Sequence, residues 1–153
     1  MKILVAEDDQ NKRARLLEHV IPLVGEENVV AVGSIQGAVR ALTTHPFSLI
    51  ILDMSMPTFE VGPDDDGGRP QAYAGREVLR QIVRRKLHVM SVVVTQFDRF
   101  GQGKDALTLD QLRDALAVEH GPAYLGCIYY DPRSGEWKDA LTKAIEMARA
   151  AGI

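Results

Sequence analysis

The residues ILVAEDD, Ile3 to Asp9, decide how the chain is read. Four apolar residues run without a polar interruption and break off at three consecutive acids. A strand with one wet face alternates apolar and polar residues, whereas an unbroken run marks a strand covered on both faces, as in a parallel sheet. The same pattern returns at Phe47–Leu52, FSLIIL, which breaks off at Asp53, and as further apolar runs at Asn28–Val32, Val89–Val94 and Leu125–Tyr130. Between these runs the apolar residues recur at spacings of three and four. Ala14, Leu17, Val20, Ile21 and Val24 predict an amphipathic helix over about 11–24, with Pro22 near its end, and Ile35, Ala38, Val39 and Leu42 a second, capped by Ser34 and stopped at His45-Pro46. Val78, Leu79, Ile82 and Val83 mark a third over 75–87. Thr108 and Gln111 form a capping-box pair ahead of a fourth with Leu109, Leu112, Leu116 and Val118, and Trp137, Leu141, Ala144, Ile145 and Ala148 stripe the last. Strand and helix alternate five times. The expected architecture is α/β: a doubly wound, five-stranded parallel sheet with helices on both faces.

With 153 residues, the chain is expected to form one domain over 1–153. Of its residues 46% are hydrophobic and 25% charged, which is ordinary for a globular chain and excludes a disordered one. Eighteen Lys and Arg against 21 Asp and Glu give a net charge of −3, so there is no basic excess to support direct nucleic-acid binding. The lone Cys127 rules out an intramolecular disulfide and reads as a buried, inert thiol. No apolar run reaches the ~18 residues of a membrane span and no signal-peptide plan opens the chain. A soluble, cytoplasmic protein is expected. Two stretches stand outside the regular alternation: Thr58 to Ala74, rich in Gly, Pro and Asp, predicts an extended loop, and the connection over about 97–123 is long as well.

In a doubly wound sheet, ligands bind beyond the carboxyl ends of the strands, near the switch in strand order. Glu7 and Asp8 leave the first strand there and Asp53 leaves the third, which gathers three carboxylates in one cleft. Like charges so placed raise one another's pKa, and a hard divalent cation relieves them. Mg²⁺ takes one or two carboxylates, waters and phosphate oxygens, so the cleft suits that metal if a phosphoryl group is the other partner. Any one of the three acids alone reads better as a solvated strand terminus, and it is the three together at two corresponding strand ends that point to a site. Asp64, Asp65 and Asp66 lack the spacing and central Gly turn of a calcium loop and read as a solvated charge run.

The segments ILVAEDD, IILDMSMP and SVVVTQF, in this order, resemble the receiver domain of two-component response regulators, a flavodoxin-like fold, over nearly the whole chain. The resemblance implies that Glu7 and Asp8 bind Mg²⁺ together with Asp53 and the backbone carbonyl of Ser55. It implies that Asp53 accepts a phosphoryl group from a sensor histidine kinase or a phosphotransfer protein, and that Thr95 supplies the switch hydroxyl. Taken alone, Thr95 reads equally as a strand-end residue of high β propensity. The moving aromatic is Tyr129 or Tyr130, according to register.

The resemblance fails at one charged position. Receiver domains place a Lys before a Pro at the end of the fifth strand, and here Asp131 precedes Pro132. No lysine lies between Lys104 and Lys138. Arg133 and Arg69 are the substitutes suggested by position along the chain. Gln96 and Phe97 stand where the family is small and are expected to crowd the cleft.

Two functions follow. The first is a stand-alone receiver in phosphorelay signalling, phosphorylated on Asp53 with Mg²⁺ and acting by docking to a downstream protein. It is not an enzyme beyond self-phosphorylation from a phosphodonor and autodephosphorylation. The alternative is a degenerate receiver that binds a protein partner without phosphate. A hydrolase is disfavoured: the chain has no G-x-S-x-G elbow, no G-x-x-x-x-G-K-[ST] loop and no D-x-D after the first strand. His19, His45, His88 and His120 have no ligand spacing. Trp137, Tyr124, Tyr129 and Tyr130 suggest either a docking face or plain core.

Overall fold

A computed structural model describes residues 1–60, 73–101 and 103–152. In chain order the elements are β1 (Ile3–Ala6), α1 (Gln10–Val24), β2 (Val29–Val32), α2 (Ile35–Thr44), β3 (Leu49–Leu52), α3 (Ala74–Arg84), β4 (Met90–Thr95), β5 (Arg99–Phe100), β6 (Leu107–Thr108), α4 (Leu109–His120), β7 (Tyr124–Tyr129) and α5 (Glu136–Ala151). Five of the strands form one parallel sheet in the order β2-β1-β3-β4-β7. This is the expected fold, with one addition: β5 and β6 pair as a small antiparallel hairpin inside the long 97–123 connection.

Strand alternation divides the core in two. Leu4, Ala6, Ile50, Leu52 and Val93 face one side, with Ala38 and Leu42 of α2, Val78 and Leu79 of α3, and Leu112 and Leu116 of α4. Ile3, Val5, Leu49, Ile51, Val92 and Val94 face the other, under Leu16 and Val20 of α1 and Trp137, Leu141 and Ile145 of α5. The three central strands are buried on both faces, which is why β1 and β3 are uninterrupted apolar runs and β4 carries only the buried Ser91 and Thr95 as polar residues. The capping box predicted at Thr108 and Gln111 forms, with both reciprocal hydrogen bonds in place. Ser34 caps α2 by accepting from the Gly37 amide.

Three inward assignments are corrected. Val83 and Val118, read as core, are exposed. In α1 the buried face is Lys12, Leu16 and Val20, and Ala14 points to solvent. The helix is therefore rotated from the phase its apolar spacing suggested, and its first buried residue is a lysine.

Register sets the level of the strand ends. Ala6 lies opposite both Val32 and Leu52, and Leu52 lies opposite Val93. Glu7 and Asp53 continue the ladder by one step, the Glu7 amide donating to the Val32 carbonyl and the Asp53 amide to the Ala6 carbonyl. The two acids thus leave adjacent strands side by side. Between β4 and β7 the ladder slips by one residue, three steps from Tyr124 to Cys127 matching two from Ser91 to Val93, and Gly126 takes up the bulge at φ +130°. No helix among the described residues is long and apolar enough to cross a membrane.

Gly75 shows how tightly α3 seats against the end of β3. A Cβ on it would lie 2.7 Å from the Asp53 carbonyl oxygen and 3.1 Å from Met54 Cα, both backbone atoms. Gly75→Ala gains helix propensity but forces that backbone apart. It is expected to destabilise the protein by about 1–3 kcal/mol, read as a lower midpoint in urea unfolding.

Candidate functional site

The three predicted acids converge. Glu7, Asp8 and Asp53 each offer a carboxylate oxygen, and these oxygens lie within 4.8 Å of one another, the only such group of potential metal ligands among the described residues. Glu7 and Asp53 are buried and Asp8 half-buried. Burial, with Asp53 nearby, pushes the Glu7 carboxyl up to about 8 despite the opposing pull of Lys12. Burial and Asp53 likewise raise Asp8 above the usual carboxylate range. Such a cluster is unfavourable when all three are charged and favourable around a cation.

A cation is already there. Lys12, 2% exposed, places Nζ 2.5 Å from Glu7 Oε1 and 3.2 Å from Asp53 Oδ1, and donates to the Val94 carbonyl at 2.7 Å. Three oxygens, two of them carboxylate, thus surround the ammonium. Its position follows from local structure: Asp9 caps α1 by accepting from the Lys12 amide at 3.0 Å, so Lys12 sits in the first turn, directly beyond the end of β1. The cation comes from α1 and not from the residues around Pro132. Two signals in the sequence pointed to it: a cap residue three positions upstream, and a site short of one positive charge.

The other sequence-derived residues are placed as follows. Asp53 Oδ1 accepts from the Met54 amide at 2.8 Å as well as contacting Lys12. Ser55 is half-buried, two residues on from Asp53. Thr95 is fully buried at the end of β4, its Oγ1 accepting from the Phe97 amide at 3.2 Å. Tyr129 stands opposite Thr95 and is exposed. Tyr130 is buried against Trp137, and its amide donates to the Thr95 carbonyl.

Several expectations are corrected. Arg133 is not a substitute cation: it is exposed and pairs with Asp131 at 3.1 Å. Gln96 and Phe97 are exposed rather than packed down on the cleft. Gln96 lines, with Lys12, Arg15 and Tyr130, a cleft of about 520 Å³ between α1 and the ends of β4 and β7. Tyr124, Tyr130 and Trp137 are core, which leaves Tyr129 alone of the four on the surface. His19 meets Thr142 Oγ1 at 2.9 Å and the edge of Trp137. Cys127 is free and buried, and burial pushes its thiol up to about 11, so it is an inert thiol. Of the loop predicted at 58–74, residues 61–72 lie outside the described residues, and with them Asp64, Asp65, Asp66 and Arg69. Its first residues run along the start of α2, where Glu60 accepts from the Gly33 amide at 2.8 Å and the Ser34 hydroxyl at 3.1 Å.

No family model matches the chain. It is 28% identical over 147 residues to the Detocs response regulatory protein DtcB of Enterobacter cloacae, covering 95% of this chain and 98% of that protein. Among solved structures it resembles the response regulator TrrA of Thermotoga maritima, determined in complex with Mg²⁺ and BeF, at TM-score 0.61 and 20% identity over 94% of this chain and 98% of the other. It resembles a CheY-like receiver domain from Methylobacillus flagellatus at TM-score 0.58 and 16% identity, over 97% and 98% of the two chains. The fold is that of the response-regulator receiver domains.

Proposed function

We propose that this response-regulator receiver domain takes up a phosphoryl group on Asp53 in a phosphorelay and passes the signal on by docking to a protein partner. The observation that carries the reading is the convergence of Glu7, Asp8 and Asp53 within 4.8 Å, beside a buried ammonium. A carboxylate oxygen of Asp53 forms the new bond to phosphorus, and the bond from phosphorus to the donor's leaving atom breaks, that atom (an imidazole nitrogen of a phosphohistidine, or the acetate oxygen of acetyl phosphate) keeping the electron pair. A carboxylate is a weak nucleophile toward a phosphoryl group, itself anionic, so the chemistry depends on neutralising charge at the point of attack.

The donor set fits Mg²⁺. All candidate ligands are hard oxygens, and those of Glu7, Asp8 and Asp53 already lie within 4.8 Å of one another. Glu7, Asp8, Asp53 and the Ser55 carbonyl would hold the ion, which when bound supplies charge neutralisation for the transfer. Thr95, buried one strand over from Asp53, is the hydroxyl we assign to sense the modified carboxylate. Its neighbour Tyr129, already exposed, belongs to the surface a partner would read. The relative in Enterobacter is spanned almost end to end, which supports a receiver that acts without an attached output domain. A sensor histidine kinase or phosphotransfer protein is the donor this implies, with the cytoplasm as the compartment. Turnover beyond self-phosphorylation and autodephosphorylation is not part of the reading.

The alternative, a binding module indifferent to phosphate, draws its motive from the absent strand-end lysine. An ammonium 3.2 Å from Asp53 weakens that motive. The two readings separate on incubation with acetyl phosphate and Mg²⁺, followed by intact-mass measurement. The expected result is one added phosphoryl group on the wild type, lost in Asp53→Asn and on chelation of the metal. A wild type that gains nothing supports the alternative.

A further inference from the structure

We propose that Lys12 is this chain's phosphoryl-binding cation, delivered from the first turn of α1 instead of from the end of the last strand. The proposal rests on the reading of Asp53 as phosphoacceptor. At the end of β7, where the charge is expected, Asp131 and Arg133 neutralise each other in solvent. Among the described residues, Lys12 is the only Lys or Arg ion-paired to Asp53 or Glu7. Its ammonium touches the carboxylate that would react, and an oxygen added to Asp53 would arrive within its reach. Burial of both partners makes the contact strong: outside bulk water, a charge-assisted hydrogen bond to phosphoryl oxygens is only weakly screened.

The holding contacts are equally specific. The Val94 carbonyl anchors Nζ to the end of β4, one residue before Thr95. The Tyr130 ring lies 5.8 Å from Nζ and carries the ammonium from below, and Trp137 backs that ring at 5.1 Å. The ammonium is thus held by the strand that bears the switch hydroxyl and by the strand end that lacks a lysine.

This position makes two predictions of opposite sign. Lys12 lies against two of the three carboxylates that would bind Mg²⁺, so its charge opposes the metal while favouring the phosphoryl group. A structural lysine would shift both affinities the same way when removed. Lys12→Met keeps the unbranched stem, one atom shorter, and removes the charge; Lys12→Arg keeps the charge and serves as the second variant should Lys12→Met not fold, as judged by circular dichroism. Mg²⁺ and beryllium fluoride binding are followed by fluorescence of Trp137, the single tryptophan. Lys12→Met is expected to bind Mg²⁺ more tightly than wild type, and to lose about a hundred-fold in the rate of labelling by acetyl phosphate and in beryllium fluoride affinity. Lys12→Arg, larger and differently directed, is expected to fall between the two in labelling.

Lys12→Met that labels at the wild-type rate overturns the proposal, as does a variant with weakened Mg²⁺ binding. If Lys12→Met does not fold, Lys12→Arg labelling at the wild-type rate without any change in Mg²⁺ affinity overturns it. Wild-type protein that binds Mg²⁺ but takes up no phosphoryl group counts against the reading of Asp53. The Mg²⁺ comparison then decides on Lys12 by itself, tighter binding upholding its contact with the metal ligands and unchanged binding refuting it.

Discussion

Replacing Trp137 by alanine is expected to lower the unfolding free energy by about 3–5 kcal/mol. The indole is 3% exposed and closes the core on the α1 and α5 side of the sheet, edge-on to His19 at 5.6 Å and tilted against Tyr130 at 5.1 Å. Truncation removes the apolar contact and both ring interactions together and opens a void that the surrounding helices and strands close only in part. Tyr130 is also the ring beneath Lys12, so loss of its support should loosen the ammonium as well. Far-UV circular dichroism through a urea titration measures the change, since the variant has no tryptophan to report. A shift below about 1 kcal/mol would mean that the ring is not the keystone its burial indicates.

Asp8→Asn is expected to move two properties in opposite directions. Burial and Asp53 raise the Asp8 carboxyl above its ordinary pKa, so the fold disfavours its charged form. A carboxyl raised in this way costs the folded protein stability as the pH rises past its ordinary pKa, in full above its folded pKa, and the neutral amide escapes that penalty. At neutral pH without metal, the variant should be at least as stable as wild type. With one of three carboxylates gone, its Mg²⁺ affinity should fall by at least about ten-fold, or 1.4 kcal/mol. Thermal unfolding with and without Mg²⁺ reads both effects. An Asp8→Asn protein that is stabilised by Mg²⁺ as much as wild type would show that Asp8 is no ligand.

Much of the architecture was legible because burial on both faces leaves a plain mark. β1 and β3 are unbroken apolar runs, and β4 is broken within only by Ser91, for the reason that helices cover both sides of them. The stripe of Trp137, Leu141, Ala144, Ile145 and Ala148 matches the buried face of α5 residue for residue. The acids could be placed because parallel strands in register must bring Glu7 and Asp53 to the same level.

Lys12 was hidden by a phase choice. Two overlapping stripes run along α1, and Ala14, Leu17, Val20 and Ile21 looked the more hydrophobic. The helix instead buries Lys12, Leu16 and Val20, because the carboxylates of Glu7 and Asp53 supply a partner that hydropathy does not register. Tyr129 and Tyr130 were indistinguishable for a different reason. The bulge at Gly126 shifts β7 by one residue against β4, and a one-residue shift exchanges the two faces of a strand. Val83 and Val118 fit a helical stripe yet stand in solvent. Val83 lines a shallow apolar hollow between α3 and α4, bordered by Arg80 and His120, and Val118 lies outside it.

The central claim is that Asp53 is the residue that takes the phosphoryl group, and mapping the modified residue tests it most directly. Labelling with acetyl phosphate and Mg²⁺, followed by borohydride, reduces an aspartyl phosphate to homoserine, which peptide mass spectrometry locates. The account predicts homoserine at position 53 and nowhere else; homoserine at another aspartate, or none at all, would contradict it.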